Sequence, residues 1–179
     1  MIVLRHIVTV FKTRCNKFKY SSESGFTLLE LVAVLSLLSL LFSIVFLYVR
    51  PLDQLKKGRD RKRLSDISTL DRAISEFALD EKRYPDQIDT LRKSNVLPTG
   101  SSNVSNANLG WIYDNLSRYT PSLPIDPVND STYHYSYTHN GKSYELNAKM
   151  EYLTNEMQND GGNDPLNYEQ GNNLKLISP

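Results

Sequence analysis

One uninterrupted apolar segment constrains this chain more than any other feature of its sequence. Between Phe26 and Val49 the residues are mainly Leu, Ile, Val and Phe, and Glu30 is the only charged side chain. As an α-helix this segment rises about 36 Å, which exceeds the roughly 30 Å hydrocarbon core of a bilayer. It is too long for the apolar core of an ordinary signal peptide, and no small-residue cleavage site follows it. The segment therefore predicts a helix that spans a membrane.

The single carboxylate in this helix requires an explanation of its own. An acid within such a segment costs on the order of 2–3 kcal/mol on insertion scales, and intramembrane acids usually serve a function. The position of Glu30 near the helix N-terminus reduces this cost, because the helix dipole favours negative charge there. An ordinary signal anchor has the right length but gives no reason for the acid. We therefore interpret Glu30 as a functional residue.

The beginning of the apolar segment carries a specific motif. Residues 24–30 read Ser-Gly-Phe-Thr-Leu-Leu-Glu, and residues 1–24 carry five basic side chains and one acid. This pattern closely resembles the prepilin processing signal of type IV pilins and type II secretion pseudopilins. The resemblance implies that residues 1–25 are a basic leader peptide and that prepilin peptidase cuts between Gly25 and Phe26. It also implies that the same enzyme methylates the new N-terminus at Phe26.

The resemblance makes Glu30 the glutamate through which such subunits assemble, and electrostatics agrees with that role. Cleavage creates an α-amine at Phe26, which carries about one positive charge at neutral pH. In a filament core of bundled apolar helices that amine needs a counter-charge, because unpaired buried charges are costly. Glu30 of the same subunit or of a neighbour can supply it. We therefore expect Glu30 to be an assembly determinant.

The charges that flank the apolar segment bear on its orientation. Residues 50–63 carry seven basic side chains and two acids, whereas the leader carries five basic side chains. Counted alone, this difference would place the C-terminal side in the cytoplasm. The processing signal implies a cytoplasmic leader instead. We therefore expect a single-pass protein of the cytoplasmic membrane with its head outside the cytoplasm, and later a cell-surface or periplasmic filament.

Residues 50–84 are expected to continue the transmembrane half of the helix, residues 26–49, as an amphipathic half. Pro51 and Gly58 are the expected positions of a bend. The basic residues between 56 and 63 are interpreted as a solvated face that pairs with acids of neighbouring subunits, with DNA or anionic lipid contact as the alternative. Apolar residues recur at helical steps of three and four, which predicts one buried face, at Leu64, Ile67, Leu70, Ile74 and Phe77.

The remaining residues, 85–179, are predicted to form a small globular head. Its strongest signal is a β-hairpin over residues 132–150, in which Asn140-Gly141 is expected to form a type I′ turn. Both His134 and His139 are expected at exposed strand positions. The apolar faces of the two strands coincide if the cross-strand pairs are Tyr137 with Tyr144, Tyr135 with Leu146 and Tyr133 with Ala148.

The rest of the head is predicted to be mostly irregular. The Tyr84-Pro85 pair ends the long helix, and Asp86 is expected to cap a short helix from Gln87 to about Lys93. Small polar residues over 98–110 predict a surface loop, and residues 159–173 predict a polar C-terminal tail. The fold class is therefore α+β and pilin-like, with a long N-terminal helix packed on a small antiparallel β-sheet.

A loop in the head raises the question of a metal. Residues 123–130 resemble the loop before the sheet in major pseudopilins, where a nearby loop can hold calcium through aspartate and backbone oxygens. Here Asp160 and Asp164 are the better candidates to supply such hard oxygen ligands. The spacing is not that of an EF-hand loop, and polar turns of this composition are common without a metal. We therefore expect no cofactor, with calcium at Asp160 and Asp164 as the alternative.

The sequence favours a structural protein over an enzyme. It contains no Gly-rich phosphate loop, no Gly-x-Ser-x-Gly and no His-Glu-x-x-His motif. With Cys15 as its only cysteine, the chain has no intramolecular disulfide. We expect a pilin or pseudopilin that self-associates into a filament, with prepilin peptidase, an inner-membrane assembly platform and, before assembly, membrane lipid as partners. The alternative is a monomeric membrane-anchored binding module whose helix is only a signal anchor.

Overall fold

The computed structural model describes residues 25–179. Most of the predicted leader, with its Cys15 and His6, therefore lies outside the described residues. The chain divides into two compact units, the first ending at Val45 and the second running from Phe46 to Pro179. The elements in chain order are α1 (Leu28–Val49), α2 (Pro51–Glu81), β1 (Arg92–Lys93), β2 (Tyr135–His139), β3 (Tyr144–Ala148), α3 (Thr154–Gln158) and β4 (Tyr168–Gly171).

Helix α1 forms within the apolar segment, and none of its residues is buried. Its length corresponds to about 33 Å, enough to cross the hydrocarbon core of a bilayer. Among residues 25–179, the helical stretch that begins with α1 is the one long and apolar enough to do so. Three serine hydroxyls in α1 bond to carbonyl oxygens of the preceding turn at 2.8 Å, those of Ser36, Ser39 and Ser43.

Arg50 separates the first two helices. Its φ of 45° and ψ of 71° are left-handed, so the helical geometry stops at this residue. Pro51 is the first residue of α2, where its missing N–H costs nothing. The expected bend at Pro51 is thus a helix boundary. Gly58, the other expected bend position, lies inside the uninterrupted helix α2.

The predicted apolar face of α2 forms one side of the core of the head. Ile67, Leu70, Ile74 and Phe77 are buried, and Leu64 is partly buried against them. Each fully buried side chain of this size contributes about 1.5–3 kcal/mol relative to exposure. The other core residues come from the irregular segment after β1 and from the sheet, mainly Trp111, Ile112, Leu116, Leu123, Tyr135, Tyr137 and Leu146.

The four strands form one antiparallel sheet in the order β1-β2-β3-β4. The contacts between α2 and the sheet strands confirm the α+β fold class that the sequence predicts. Strand β4 lies within the segment that we expected to be a polar tail. The predicted helix from Gln87 to Lys93 is wrong, because Asp86 has a φ of 77° and Arg92–Lys93 pair with β2 as β1.

The predicted register of the hairpin is also wrong, by two residues. The structure pairs Tyr137 with Leu146 and His139 with Tyr144. The cause is the side chain of Asn140, whose Oδ1 accepts the backbone N–H groups of Lys142 and Ser143 at 3.0 and 2.8 Å.

These bonds centre the turn on Gly141-Lys142 instead of Asn140-Gly141. Gly141 has a φ of 82° and Lys142 has no positive φ, which fits a type II′ turn instead of type I′. Because the shift is an even number of residues, the apolar side chains still share one face.

The predicted exposure of the two histidines fails for His139. This residue is 3% exposed, and its ring stacks on Tyr137 with the ring centroids 6.0 Å apart. His134 precedes β2 and is half-buried, with Nδ1 3.2 Å from the carbonyl oxygen of Asp130. Both histidines therefore belong to the packing of the head.

Both faces of the sheet are covered. The face that carries Tyr135, Tyr137 and Leu146 belongs to the core shared with α2. The opposite face is polar and nonetheless buried, at Ser136, Thr138, Glu145, Asn147 and Glu169. The C-terminal residues reach this polar face, because the N–H groups of Leu176 and Ile177 donate to Glu145 Oε2 at 2.6 and 2.9 Å.

Candidate processing and assembly site

The residues around the predicted cleavage position precede α1 and are exposed. The side chain of Phe26 is 82% exposed. A Cβ atom added at Gly25 would meet no atom of residues 25–179 within 4 Å, and this glycine has no positive φ. The fold of the described residues therefore does not require glycine here. A requirement imposed from outside, such as close approach of a protease to the backbone, is compatible with this geometry.

Thr27 caps the N-terminus of α1, a role that the sequence interpretation missed. The N–H of Glu30 donates to Thr27 Oγ1 at 3.2 Å, and the N–H of Leu31 donates to the Thr27 carbonyl at 3.1 Å. Ser or Thr followed three residues later by Glu is the capping-box spacing, so the sequence did contain this signal. The cap fixes the first turn of the helix, which carries Glu30.

Glu30 is the one acidic residue in the first turn of α1, and it is exposed. The positive end of the helix dipole favours a carboxylate at this position. No Lys or Arg occurs between Phe26 and Val49, so the apolar segment contains no counter-charge for Glu30. The serine hydroxyls of α1 are already bonded to its own backbone. The Glu30 carboxylate is therefore the one charged group of this helix, and an environment of low polarity has to accommodate it.

Two of the basic residues that follow the apolar segment do not form the solvated face that we expected. Arg63 is buried, and it contacts Asp126 Oδ2 at 2.6 Å, Asp60 Oδ1 at 2.7 Å and Glu151 Oε1 at 2.7 Å. Arg59 donates two hydrogen bonds to Glu151, at 2.6 and 2.5 Å. Both arginines therefore pair with acids of their own chain.

The buried charges shift one another's protonation equilibria. Hydrogen bonds from Arg59, and then from Arg63, lower the pKa of Glu151 to about 2 against the opposing effect of burial. Burial lowers the pKa of Arg63, but hydrogen bonds to Asp126, Glu151 and Asp60 outweigh it, so the pKa rises overall. Glu151 and Arg63 are therefore ionised at neutral pH.

Asp60 connects this cluster to the backbone of the head. Its carboxylate accepts the N–H groups of Glu151, Tyr152 and Leu153 at 2.9, 2.7 and 2.9 Å. The first half of α2 is thereby bound to the segment that joins β3 to α3. Other basic residues of the stretch 56–63 remain at the surface. Lys56 and Arg61 are exposed, and Lys62 pairs with Asp66 at 3.0 Å.

The two predicted calcium ligands stabilise turns in the C-terminal loop. Asp160 accepts the N–H groups of Gly162 and Glu169 at 2.8 and 2.7 Å. Asp164 accepts the N–H of Leu166 at 2.9 Å and the side-chain amide of Asn167 at 2.6 Å. Within residues 25–179, no three His, Cys, Asp or Glu side chains form a group that could hold a metal ion. Calcium bound by Asp160 and Asp164 stays a prediction.

Comparison with known proteins adds two family matches. Residues 20–46 match the model of the prokaryotic N-terminal methylation motif, and residues 50–164 match the model of type II secretion system (T2SS) protein G. Over 105 residues the chain is 38% identical to the type II secretion system core protein G of Aeromonas hydrophila. The aligned residues cover 59% of this chain and 67% of that protein. No solved structure matches the chain.

Proposed function

Because this chain belongs to the protein G family of the type II secretion system and is a pilin-like structural subunit, we propose that it assembles through α1 after cleavage at Gly25–Phe26. The family match favours a filament built with other pseudopilins. The observation that carries the proposal is Glu30, a carboxylate at the capped beginning of an exposed apolar helix that contains no basic side chain.

The proposed sequence of events begins in the cytoplasmic membrane. The precursor is held there by α1, with its head outside the cytoplasm and its leader inside. Prepilin peptidase removes residues 1–25 and methylates the new N-terminus at Phe26. Within residues 25–179, no atom lies within 4 Å of the Cβ position at Gly25, which supports access of a peptidase to this bond.

Assembly then exchanges lipid contacts of α1 for contacts with other helices. In that apolar surrounding the α-amine of Phe26 and the carboxylate of Glu30 satisfy each other, either within one subunit or between neighbours. The two charges can be buried only when they contact each other, because removing one partner of a buried ion pair costs about 3–5 kcal/mol. A subunit that docks out of register leaves both charges unpaired. The inner-membrane assembly platform is the proposed site of this exchange.

The test compares three variants of α1 in the native host. Glu30→Gln keeps the shape of the side chain without its charge, Glu30→Asp keeps the charge, and Ser36→Ala is the matched control without a charge change. We expect Glu30→Gln to be inserted and cleaved normally but to lower the filament-bound fraction at least tenfold. The Ser36→Ala control should assemble like the unmodified chain, and Glu30→Asp should retain more assembly than Glu30→Gln.

Two measurements on the same cells separate the steps. Mass spectrometry of the N-terminus reports cleavage and methylation. Chemical crosslinking of sheared filaments, with a reagent that does not depend on cysteine, reports incorporation. Normal incorporation of Glu30→Gln would contradict the proposed charge pairing. A chain that keeps residues 1–25 and remains monomeric in its native host would support the alternative, a membrane-anchored binding module.

A further inference from the structure

Gly58 is a glycine that the fold of the head does not explain. It lies inside the uninterrupted helix α2, where glycine is the weakest helix former after proline because ordering its backbone costs the most entropy. It has no positive φ, and no atom of residues 25–179 lies within 4 Å of a Cβ atom built at this position. Most other residues would therefore stabilise α2. What glycine adds at an exposed helix position is room for another chain to come close to the backbone.

The side chains around Gly58 form an exposed surface that is both apolar and basic. Residues three and four positions apart share one face of a helix, so the basic notch, as we call it, consists of Leu55, Gly58, Arg61 and Lys62. Leu55 is 61% exposed, and the other three residues are also exposed. Among residues 25–179, Arg61 forms no ion pair, and Lys62 pairs with Asp66 while its side chain stays 58% exposed. A partner for this surface needs an apolar side chain with acidic neighbours.

The last turns of α2 present a surface of that kind. About five helical turns beyond the basic notch, the same face of the helix carries the acidic end, which we define as Glu76, Leu79 and Asp80. Leu79 is 69% exposed. Glu76 contacts Arg72 at 3.3 Å, but its side chain remains 46% exposed. Asp80 is exposed and accepts a hydrogen bond from the Tyr119 hydroxyl at 3.0 Å. The acidic end therefore offers a leucine between two carboxylates.

The basic notch and the acidic end match each other but cannot meet within one chain, because they lie about 27 Å apart along one continuous helix. The nearby Lys82 donates to the carbonyl oxygen of Leu79 at 2.6 Å and forms no ion pair with the acidic end in the described part of the chain. A second copy of this chain carries both surfaces, so its acidic end can meet the basic notch of the first. Because the two surfaces differ, such a contact is heterologous and can repeat from copy to copy along an open filament.

Given the filament assembly of the proposed function, we propose that the basic notch of one subunit binds the acidic end of the next subunit. Leu79 of one copy packs beside Leu55 of the other, in the space over Gly58 that a larger side chain would fill. Burial of these leucines supplies the attraction, since exposed ion pairs contribute little. The charges select the partner surface, because two basic notches or two acidic ends would bring like charges together. This contact lies outside α1 and is separate from the pair of Phe26 and Glu30.

The first test uses Gly58→Leu, because folding and assembly should respond to it in opposite directions. Trp111, the only tryptophan, is buried in the core of the head and reports its unfolding by fluorescence. For the full chain in detergent micelles, the Tm should rise by about 2 °C or more, since leucine forms helices better than glycine. In the native host the variant should be cleaved normally, while its filament-bound fraction should fall at least tenfold.

Lys56→Leu is the matched control for Gly58→Leu. It introduces the same side chain two positions away, on the opposite side of the helix, and should assemble like the unmodified chain. A normal filament-bound fraction for Gly58→Leu, or an equal loss for Lys56→Leu, would overturn the proposal. A Tm of Gly58→Leu below that of the unmodified chain would attribute the loss of assembly to folding and would also contradict it.

An exchange of charges tests which surfaces meet. Arg61→Glu and Asp80→Arg should each lower the filament-bound fraction at least fivefold, because each brings like charges together. The double variant should recover at least half of the unmodified fraction, since opposite charges face each other again. Lys142→Glu changes an exposed charge in the turn of the hairpin and should assemble normally. Single variants that assemble normally, or a double variant no better than the single ones, would contradict the proposal.

Disulfide crosslinking detects the contact directly. Cys15 is the only cysteine and lies in the predicted leader, so the cleaved chain contains none. A variant with both Arg61→Cys and Asp80→Cys should form a ladder of disulfide-linked multimers in oxidised filaments, whereas either substitution alone should leave monomers. Dimers from a variant with one cysteine would show that like surfaces meet. A double variant that stays monomeric within filaments would show that the two surfaces do not meet, and either result would overturn the proposal.

Glu30→Gln, measured in the same cells, separates this contact from the proposed function. If Gly58→Leu assembles normally while Glu30→Gln does not, the charge pairing at Phe26 stands and the contact at the basic notch is wrong. If Glu30→Gln assembles normally while Gly58→Leu does not, the contact at the basic notch stands and the charge pairing is wrong.

Discussion

At the scale of single residues, Arg63 is the centre of the buried charge cluster of the head. Its guanidinium is completely buried, and it bonds to carboxylates from α2, from the loop before the sheet and from the segment after β3. Removing one member of such a cluster is strongly destabilising, because the remaining members stay charged and buried but lose their partner. The neighbouring Arg61 is exposed and belongs to the same basic stretch of the sequence.

The first prediction concerns this arginine. Replacing Arg63 with Met should lower the free energy of unfolding of the head by about 3–5 kcal/mol, because three carboxylates lose their counter-charge. Urea unfolding followed through Trp111 fluorescence measures the effect. The matched variant Arg61→Met should change the free energy of unfolding by less than about 0.5 kcal/mol. Similar losses for both variants would contradict the assigned role of the buried cluster.

The second prediction is a dependence on pH that originates at Glu151. Its pKa is lowered to about 2 in the folded chain, from an ordinary value of 4.5. A lowered folded pKa means that the stabilisation is complete above the unfolded pKa and is lost as pH falls towards the folded one. Stability should therefore decrease between about pH 4.5 and about pH 2. Glu151→Gln should reduce this part of the pH dependence, and an unchanged profile would argue against the pairing with Arg59 and Arg63.

At the scale of elements, the sequence predicted what depends on periodicity and missed what depends on individual side chains. The structure confirms the apolar face of α2. The sequence could predict this face because apolar residues recur at steps of three and four over five positions. The hairpin exists, but its register follows from the side-chain bonds of Asn140, which no alternation pattern contains.

Other parts of the head depend on contacts between distant residues. Strand β4 reads Tyr-Glu-Gln-Gly and carries no apolar alternation, so only its pairing with β3 makes it a strand. The hydrogen bonds from the Leu176 and Ile177 N–H groups to Glu145 also join separate segments, and no local motif indicates them. The Thr27 cap, in contrast, has a recognisable spacing in the sequence.

The third prediction tests the turn that sets the hairpin register. Asn140→Ala should lower the free energy of unfolding by about 1–2 kcal/mol, because Oδ1 no longer accepts the N–H groups of Lys142 and Ser143. Chemical denaturation measures this change. Asn155→Ala is the control, because Asn155 is an exposed residue of α3. Equal stability of the Asn140→Ala variant and the wild type would contradict our explanation of the register.

At the scale of the whole molecule, the chain combines a membrane-directed unit with a folded head, and different requirements act on each. The described head is stabilised by its core and by buried charges. At Gly25 the described residues impose no such constraint, since none of their atoms would meet a Cβ atom there. Selection for glycine at this position therefore acts, in our proposal, through the peptidase and not through folding.

The fourth prediction separates these two requirements. Gly25→Leu should block cleavage by prepilin peptidase, so that the chain keeps residues 1–25 in mass spectra. The Tm of its head should remain within about 1 °C of the wild-type value, because the new side chain points into open space. Gly58→Leu provides a comparison at another glycine with no atom near its Cβ position, and it should be processed normally. Full processing of Gly25→Leu would contradict the assigned cleavage position.

For the proposed assembly, the internal hydrogen bonds of Ser36, Ser39 and Ser43 bear on how easily a subunit would leave the lipid phase. A helix whose hydroxyls depended on neighbours would have to break and remake polar contacts at every stage of extraction. Here those hydroxyls are satisfied by the backbone one turn earlier, whatever surrounds the helix. Moving α1 from lipid contacts to protein contacts should therefore break no hydrogen bonds of these serines. The main electrostatic cost should arise at the end of the helix that carries Glu30.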